Sequence, residues 1–274
     1  MKIEVKVVVC DWGVFINDEL SKDLIFNSKA NAEEVKRIIE LDIENKRFDA
    51  RAVFSIYPAN RSAADSVEVY DESGATTHTF HHIRQQSDKV TGKPNLSLAD
   101  YIKPSAQPED YLGGFTVSIF GAEELANEYK AKGDDYSAIL VQSLADRFAE
   151  AFAEHLHERI RKEFWGYKAD ETLSNEELIK EKYVGIRPAP GYPACPEHTI
   201  KTDLFKVLKA EDIGMSLTES LAMLPAASVS GFYIGHPDSV YFNVGKIAHD
   251  QLQDMVERRG MDEAVLTRLL APIL

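Results

Sequence analysis

Four prolines and one glycine fall within the eleven residues Arg187–Glu197, and they constrain the backbone of this stretch strongly. Each proline fixes φ and removes a backbone donor, so neither a regular helix nor a central strand can form there. We therefore predict irregular, stiff backbone with exposed carbonyl groups. A stiff backbone loses little entropy on binding, which suits it to lining a ligand site.

Two residues of this stretch have chemistry that fits such a site. Arg187 carries a guanidinium fork that matches a carboxylate bidentately, and Gly191 permits close approach of backbone to a ligand. The pattern alone leaves two interpretations open. One is a ligand site, and the other is a rigid surface loop with Arg187 in a structural ion pair.

Cys195 and His198 stand at a spacing that metal ligands can use. A zinc site needs three or four ligands, and Cys10 is the only other cysteine. We therefore favour structural packing of both residues and predict no metal site. Two cysteines are also too few for a disulfide framework, which favours a reducing cytoplasm.

Charge and hydropathy exclude two classes of function. The 274 residues carry 31 Lys and Arg against 45 Asp and Glu, a net charge of −14. Such acidity argues against tracking nucleic-acid phosphates. Apolar runs stay far below the about 20 residues that a membrane span needs, so we expect no membrane insertion.

The order of elements predicts an α+β fold with a mainly antiparallel sheet. Strand patterns cluster early, at Lys2–Val9, Ala52–Tyr57 (ending at Pro58), Val67–Tyr70, Thr76–His82 and Leu112–Phe120, with one later strand at Ala226–Ile234. Helix patterns come mostly later, apart from Ser28–Lys46. They are Asp134 or Asp135 to about Phe164, Ser174–Tyr183, His198–Leu208, Gly245–Arg259 and Asp262–Leu270. Either aspartate can cap the first of these helices, Ser174 and Glu177 match a capping box, and Gly260 separates the last two helices. No composition shift divides the chain, so we predict a single domain over residues 1–274.

Three carboxylates, Asp146, Glu150 and Glu154, share one face of the long helix because they are spaced by four residues. Such a row indicates either a solvated face or a cationic partner. Motifs of dinucleotide sites, P-loops, serine hydrolases and zinc proteases are absent from the sequence.

Eight ordered stretches together resemble one known family. The strongest is Arg187-Pro-Ala-Pro-Gly-Tyr-Pro-Ala-Cys-Pro-Glu-His198, which closely resembles the S-adenosylmethionine-binding segment of the activation domain of cobalamin-dependent methionine synthase. The others are Tyr57–Arg61, His81–Gln86, Leu144–Glu154, Leu156–Arg159, Trp165–Tyr167, Leu173–Leu178 and His236–Ser239. With Asp11-Trp12, they extend the resemblance from Asp11 to the chain's end.

The resemblance implies a bent, mostly antiparallel sheet with flanking helices in one domain. It also implies an activity, in which S-adenosylmethionine is presented for reductive methylation of cob(II)alamin. An electron from a flavodoxin-type donor accompanies the methyl group, and methionine synthase is thereby reactivated.

The resemblance also implies roles for particular residues. Arg187 resembles the arginine that holds the methionine carboxylate, and Asp11 the aspartate that takes the α-amino group. The remaining expected S-adenosylmethionine contacts are Glu150, Glu181, Ala189, Tyr192, Tyr241 and Phe242, of which Phe242 stands where a second tyrosine is expected. Asp146 matches a residue that faces the cobalamin domain.

Cobalamin and homocysteine-zinc motifs are absent from this sequence. The chain is therefore expected to supply one substrate site of a larger methyltransferase, as an excised domain or a separate subunit, and to be inactive alone. The alternative function is an S-adenosylmethionine sensor or a docking module that delivers no methyl group.

Overall fold

The computed structural model of the chain describes residues 7–10, 13–16, 19–25, 47–62, 65–90 and 92–274, with only the backbone course for the first three ranges. The predicted helix Ser28–Lys46, Asp11 and most of the first predicted strand lie outside these residues. The described strands and helices are, in chain order, β1 (Val7–Cys10), β2 (Gly13–Ile16), β3 (Glu19–Ile25), β4 (Asp49–Arg61), β5 (Ser66–Tyr70), β6 (Thr76–His81), β7 (Asp110–Phe120), α1 (Ala122–Ala131), α2 (Asp135–Arg159), α3 (Asn175–Ile179), α4 (Ile200–Leu208), β8 (Ser216–Leu217), β9 (Met223–Leu224), β10 (Ser228–Tyr233), α5 (His249–Arg259) and α6 (Glu263–Leu270).

Five of these strands form one sheet in the order β10-β7-β4-β5-β6. Strand β5 pairs antiparallel with both β4 and β6, and β5 and β6 form a hairpin. The six α-helices of the described residues complete an α+β fold, which confirms the predicted class.

Several predicted boundaries are wrong. The helix predicted over Ser174–Tyr183 ends at Ile179, and the helix predicted from Gly245 begins at His249. We expected Pro58 to end its strand, but β4 continues through it to Arg61. Pairing with β5 begins at the next residue, Ala59. Proline is tolerated in a strand wherever its missing N–H is not needed for pairing.

The chain folds into two compact units, each built from three chain segments. Of the described residues, unit 1 comprises those up to Val53, Thr116–Lys182 and Ala210–Val229, and unit 2 comprises those within Phe54–Phe115, Tyr183–Lys209 and Ser230–Leu274. The single domain over residues 1–274 stays a prediction.

Unit 1 is centred on the packing of α1 against α2. Small buried side chains, among them Ala126, Ala138 and Ala145, let the two helices approach, and Phe148 packs edge-on against Phe48 at 5.9 Å between ring centres. Asp134, one of the two predicted starting residues, caps α2 by accepting from the backbone N–H of Ser137 (3.0 Å). Because the alanine side chains are small, the backbones of the two helices lie close together. Backbone surface is therefore buried along with the apolar side-chain surface.

Unit 2 has an apolar centre between the sheet and its helices. Phe115 stacks on Tyr233 at 4.5 Å, and Phe80 meets Phe232 edge-on at 5.0 Å. Helices α5 and α6 bury a further cluster with Ile83, composed of Val244, Ile247, Leu252, Met255, Leu266 and Leu270. The proline-rich segment, residues 187–198, belongs to this same unit.

No helix among the described residues combines the length and the apolar character needed to cross a bilayer.

Candidate functional site

The proline-rich segment is attached to unit 2 along the end of β10. Ile186 and Ile234 exchange two backbone hydrogen bonds of 3.0 and 3.1 Å, and the Phe232 N–H donates to the Pro188 carbonyl at 3.0 Å. A Cβ at Gly231 would lie 2.6 Å from the Pro188 oxygen, so glycine is required for this approach. The first residues of the segment therefore form extended backbone that is hydrogen-bonded to the end of β10.

The middle of the segment is a tight turn closed by backbone hydrogen bonds. The Gly191 N–H donates to the Cys195 carbonyl at 2.8 Å, and the Tyr192 N–H donates to the Ala189 carbonyl at 3.1 Å. Gly191 has φ +95°, and a Cβ there would lie 2.3 Å from Cε1 of His198. Side chains are thus excluded from position 191 by both backbone conformation and the imidazole above it.

Cys195 and His198 serve this turn as packing groups. Burial, followed by the nearby Glu197 carboxylate, raises the pKa of the Cys195 thiol well above its usual range. Burial, followed by Lys201, lowers the pKa of His198. Within the part of the chain that the structure describes, no three His, Cys, Asp or Glu residues are grouped to hold a metal ion.

Arg187 stands at the start of the segment, half-buried, with its backbone tied to Tyr241. The Arg187 N–H donates to the Tyr241 hydroxyl at 2.8 Å, which links residues 54 positions apart. Tyr192 and Tyr241 are exposed, at 60% and 39%. The structure thus joins Arg187 to Tyr241 and Ala189 to Tyr192 by one hydrogen bond each, and the role of these four residues as ligand contacts stays a prediction.

Phe242 follows Tyr241 but packs against the apolar cluster of α5 and α6. Its predicted contact with a ligand stays a prediction. The Val244 N–H donates to the Pro193 carbonyl at 2.9 Å, so residues 241–244 meet the proline-rich segment at two points.

The far end of the segment is held by a buried ion pair that the sequence did not predict. Glu197 accepts from the Thr199 N–H at 2.6 Å and from its hydroxyl, and Arg259 Nη1 lies 3.3 Å from Glu197 Oε2. Arg259 also contacts Asp203 at 2.9 Å. Since Arg259 is 62 residues beyond Glu197, no periodicity of the sequence indicates this pair.

Three of the predicted acidic residues lie at the surface of unit 1. Asp146 and Glu150 lie on α2, and Glu181 follows α3 with φ +54°. Partial burial raises the pKa of Asp146, with Arg147 opposing the shift. Asp11, the expected partner of the ligand's amino group, lies outside the described residues.

Asp146 also lines an open cavity of about 600 Å³ in unit 1. Glu123, Glu124 and Gln142 provide its other polar groups, and Leu224–Ala227 form an apolar wall. Three carboxylates around one cavity favour a cationic occupant.

Taken together, these features define an α+β protein whose candidate site is a proline-rich loop with an arginine at its start. A family model described as vitamin B12 dependent methionine synthase, activation domain, matches residues 16–260. The chain therefore belongs to the activation-domain family of this methyltransferase, as the motifs predicted.

A solved structure supports the same assignment. The crystal structure of the MetH reactivation domain bound to AdoHcy is 47% identical in sequence to this chain, with a TM-score of 0.85. The match covers 88% of this chain and 75% of that chain.

Proposed function

We propose that this chain binds S-adenosylmethionine at the proline-rich segment and presents it for reductive methylation of cob(II)alamin, reactivating methionine synthase. The observation that carries the proposal is the position of Arg187, half-buried at the start of a rigid loop anchored to β10. The 47% identity to a domain bound to AdoHcy, the demethylated product of this ligand, supports the same ligand class.

The ligand's amino-acid end is a zwitterion, which requires one anionic and one cationic protein group. In our proposal Arg187 binds the carboxylate bidentately, and Asp11 binds the α-amino group. Ala189 and Tyr192 line the ligand with backbone and ring, beside Tyr241 and Phe242. Glu150 and Glu181 favour the positively charged sulfonium over the neutral sulfide product.

In the proposed reaction, each cob(II)alamin takes up one methyl group and one electron. The sulfonium C–S bond breaks, a cobalt–carbon bond forms, and one electron from a flavodoxin-type donor is consumed. The products are methylcobalamin and S-adenosylhomocysteine. This chain contributes the binding and orientation of the methyl donor, and the cobalamin is held by a partner domain or subunit.

Docking of that partner is assigned to the acidic face of α2 that includes Asp146. The cavity beside Asp146 carries two further carboxylates, Glu123 and Glu124, and suits a cationic side chain of the partner. This charge arrangement supports the partner-bound interpretation of the acidic row rather than a merely solvated face.

The binding step is tested by isothermal titration calorimetry with S-adenosylmethionine. We expect micromolar affinity for the unmodified chain, about −8 kcal/mol. Arg187→Ala should weaken binding by about 1.5–3 kcal/mol, the scale of a hydrogen bond to a charged group. Arg268→Ala, which removes an exposed arginine of α6, is the matched control and should bind normally. Unchanged affinity of Arg187→Ala would refute the carboxylate role.

The delivery step is tested separately with methyl-labelled S-adenosylmethionine. The chain is mixed with a cobalamin-binding partner and a reduced flavodoxin-type donor, and label in methylcobalamin is measured. Transfer of label supports the proposed function. Tight binding without transfer would instead support the sensor or docking alternative.

A further inference from the structure

The backbone that carries Tyr241 has no regular structure of its own. Residues 239–248 belong to neither a helix nor a strand. Their position is therefore determined by individual hydrogen bonds, and the bond between Tyr241 and Arg187 depends on how the following residues are held.

Gln85 supplies one of those hydrogen bonds from the opposite side. Its Nε2 donates to the Asn243 carbonyl at 2.6 Å, and its Oε1 accepts from the Leu96 N–H at 3.0 Å. The Gln85 backbone N–H also donates to the Leu96 carbonyl at 3.0 Å. Gln85 as a whole residue is only 6% exposed, so these bonds are protected from water.

The side-chain amide of Gln85 satisfies both of its partners at once. Asn243 presents an acceptor and Leu96 presents a donor, so the side chain must donate on one side and accept on the other. A carboxylate can accept from Leu96, but it places a negative charge against the Asn243 carbonyl. A methionine fills the space and makes neither bond.

We propose that Gln85 is a positioning residue for the ligand site. It holds the Asn243 carbonyl and thereby keeps the Tyr241 hydroxyl 2.8 Å from the Arg187 N–H. Arg187 is then aimed at the ligand's carboxylate. The inference rests on the proposed function, and it gives a role to the His81–Gln86 motif, which has none in ligand binding so far.

Gln86 is a matched control next to Gln85 in the chain. Its amide also makes two hydrogen bonds, from Nε2 to Asp250 at 3.0 Å and from the Ala248 N–H to Oε1 at 2.7 Å. These bonds hold the start of α5, several residues beyond Tyr241. Gln86→Glu therefore repeats the chemical change without disturbing the Asn243 carbonyl.

The test compares Gln85→Glu with Gln86→Glu in two measurements. Calorimetry gives the affinity for S-adenosylmethionine, and hydrogen exchange followed by NMR gives the protection of the Arg187 amide without ligand. We expect Gln85→Glu to lower affinity about tenfold and to speed Arg187 exchange at least fivefold, relative to amides of β5. Gln86→Glu should stay within about twofold of the unmodified chain in both.

A double variant tests whether Gln85 acts through Tyr241. Tyr241→Phe removes the hydroxyl that accepts from Arg187, so Gln85→Glu added to it should cause little further loss of affinity. Fully additive losses would overturn the proposal, as would an affinity of Gln85→Glu equal to that of Gln86→Glu. If Gln85→Glu does not fold, Gln85→Met is measured in its place, with the same expected direction and the same overturning result.

Failure of the proposed function gives a different result. If the unmodified chain does not bind S-adenosylmethionine, that function is refuted, while the Arg187 exchange rate still decides whether Gln85 positions this backbone. Exchange unchanged in Gln85→Glu overturns the positioning role.

Discussion

Arg259 is the cation on which the far end of the proline-rich segment depends. Its guanidinium lies 3.3 Å from the Glu197 carboxylate and 2.9 Å from that of Asp203. The Arg259 and Glu197 side chains are 7% and 3% exposed, so water cannot replace either partner. Asp203 is more exposed than Glu197, so leaving Asp203 without its cation costs less free energy than leaving Glu197 without it.

Replacing Arg259 by methionine keeps the apolar stem and removes the charge. The Glu197 carboxylate would then remain buried, with only the Thr199 donors. Removing one partner of a buried ion pair costs about 3–5 kcal/mol, because the remaining charge is uncompensated. We expect Arg259→Met to lower the free energy of unfolding by this amount.

A second substitution separates charge from packing. Glu197→Gln added to Arg259→Met removes the uncompensated carboxylate while leaving an acceptor for Thr199. The double variant should therefore be more stable than Arg259→Met alone, although less stable than the unmodified chain.

Urea unfolding of these variants, followed by circular dichroism, gives the required free energies. The control is Lys180→Met, which breaks the Lys180–Glu176 pair at 4.0 Å between largely exposed side chains. This control should change stability by at most about 0.5 kcal/mol. The reasoning is refuted if Arg259→Met loses no more than Lys180→Met, or if the double variant is no more stable than Arg259→Met.

Two further predictions concern docking and pH. Asp146→Ala should leave the affinity for S-adenosylmethionine unchanged yet slow label transfer to the cobalamin partner, since Asp146 is assigned to docking; equal losses in calorimetry and in the transfer assay would argue against that assignment. Burial, with smaller contributions from Arg258 and other cations, lowers the pKa of His82 to about 3. A histidine in the unfolded chain titrates near 6.5. The stability gained by burying His82 in its neutral form is therefore complete above about pH 6.5. The free energy of unfolding then falls by up to about 1.4 kcal/mol per pH unit as pH drops toward 3. His82→Phe, whose ring can keep the contact with Phe232, should reduce the slope of unfolding free energy between pH 7 and 5; identical slopes for both proteins would contradict this.

Local hydrogen-bonding signals predicted several elements correctly from the sequence. The capping box of Ser174 and Glu177 starts α3, Asp134 caps α2, and Gly260 ends α5 with φ +61°. In each case the bond or backbone conformation involves residues within four positions of one another. Such interactions are encoded by the residues themselves and need no distant partner.

Other elements were not predicted because their signal is not local. Strands β2 and β3 were missed, as was α1, which follows Gly121 at φ +92° without a side-chain cap. A Cβ at Gly121 would lie 1.9 Å from the Arg47 carbonyl, more than seventy residues earlier in the chain. The need for glycine there arises from that distant backbone.

For the candidate site, the sequence by itself determined the stiffness of the proline-rich segment, the presence of Arg187 within it and, through the ordered motifs, the family. Only the tertiary structure decided that the Tyr241 hydroxyl accepts from the Arg187 backbone, that Gln85 holds the Asn243 carbonyl, and that Arg259 neutralises Glu197. These pairs are separated by 54, 158 and 62 residues. Periodicity and capping report on neighbours a few residues apart, whereas partners at these separations meet only when the sheet and helices have packed.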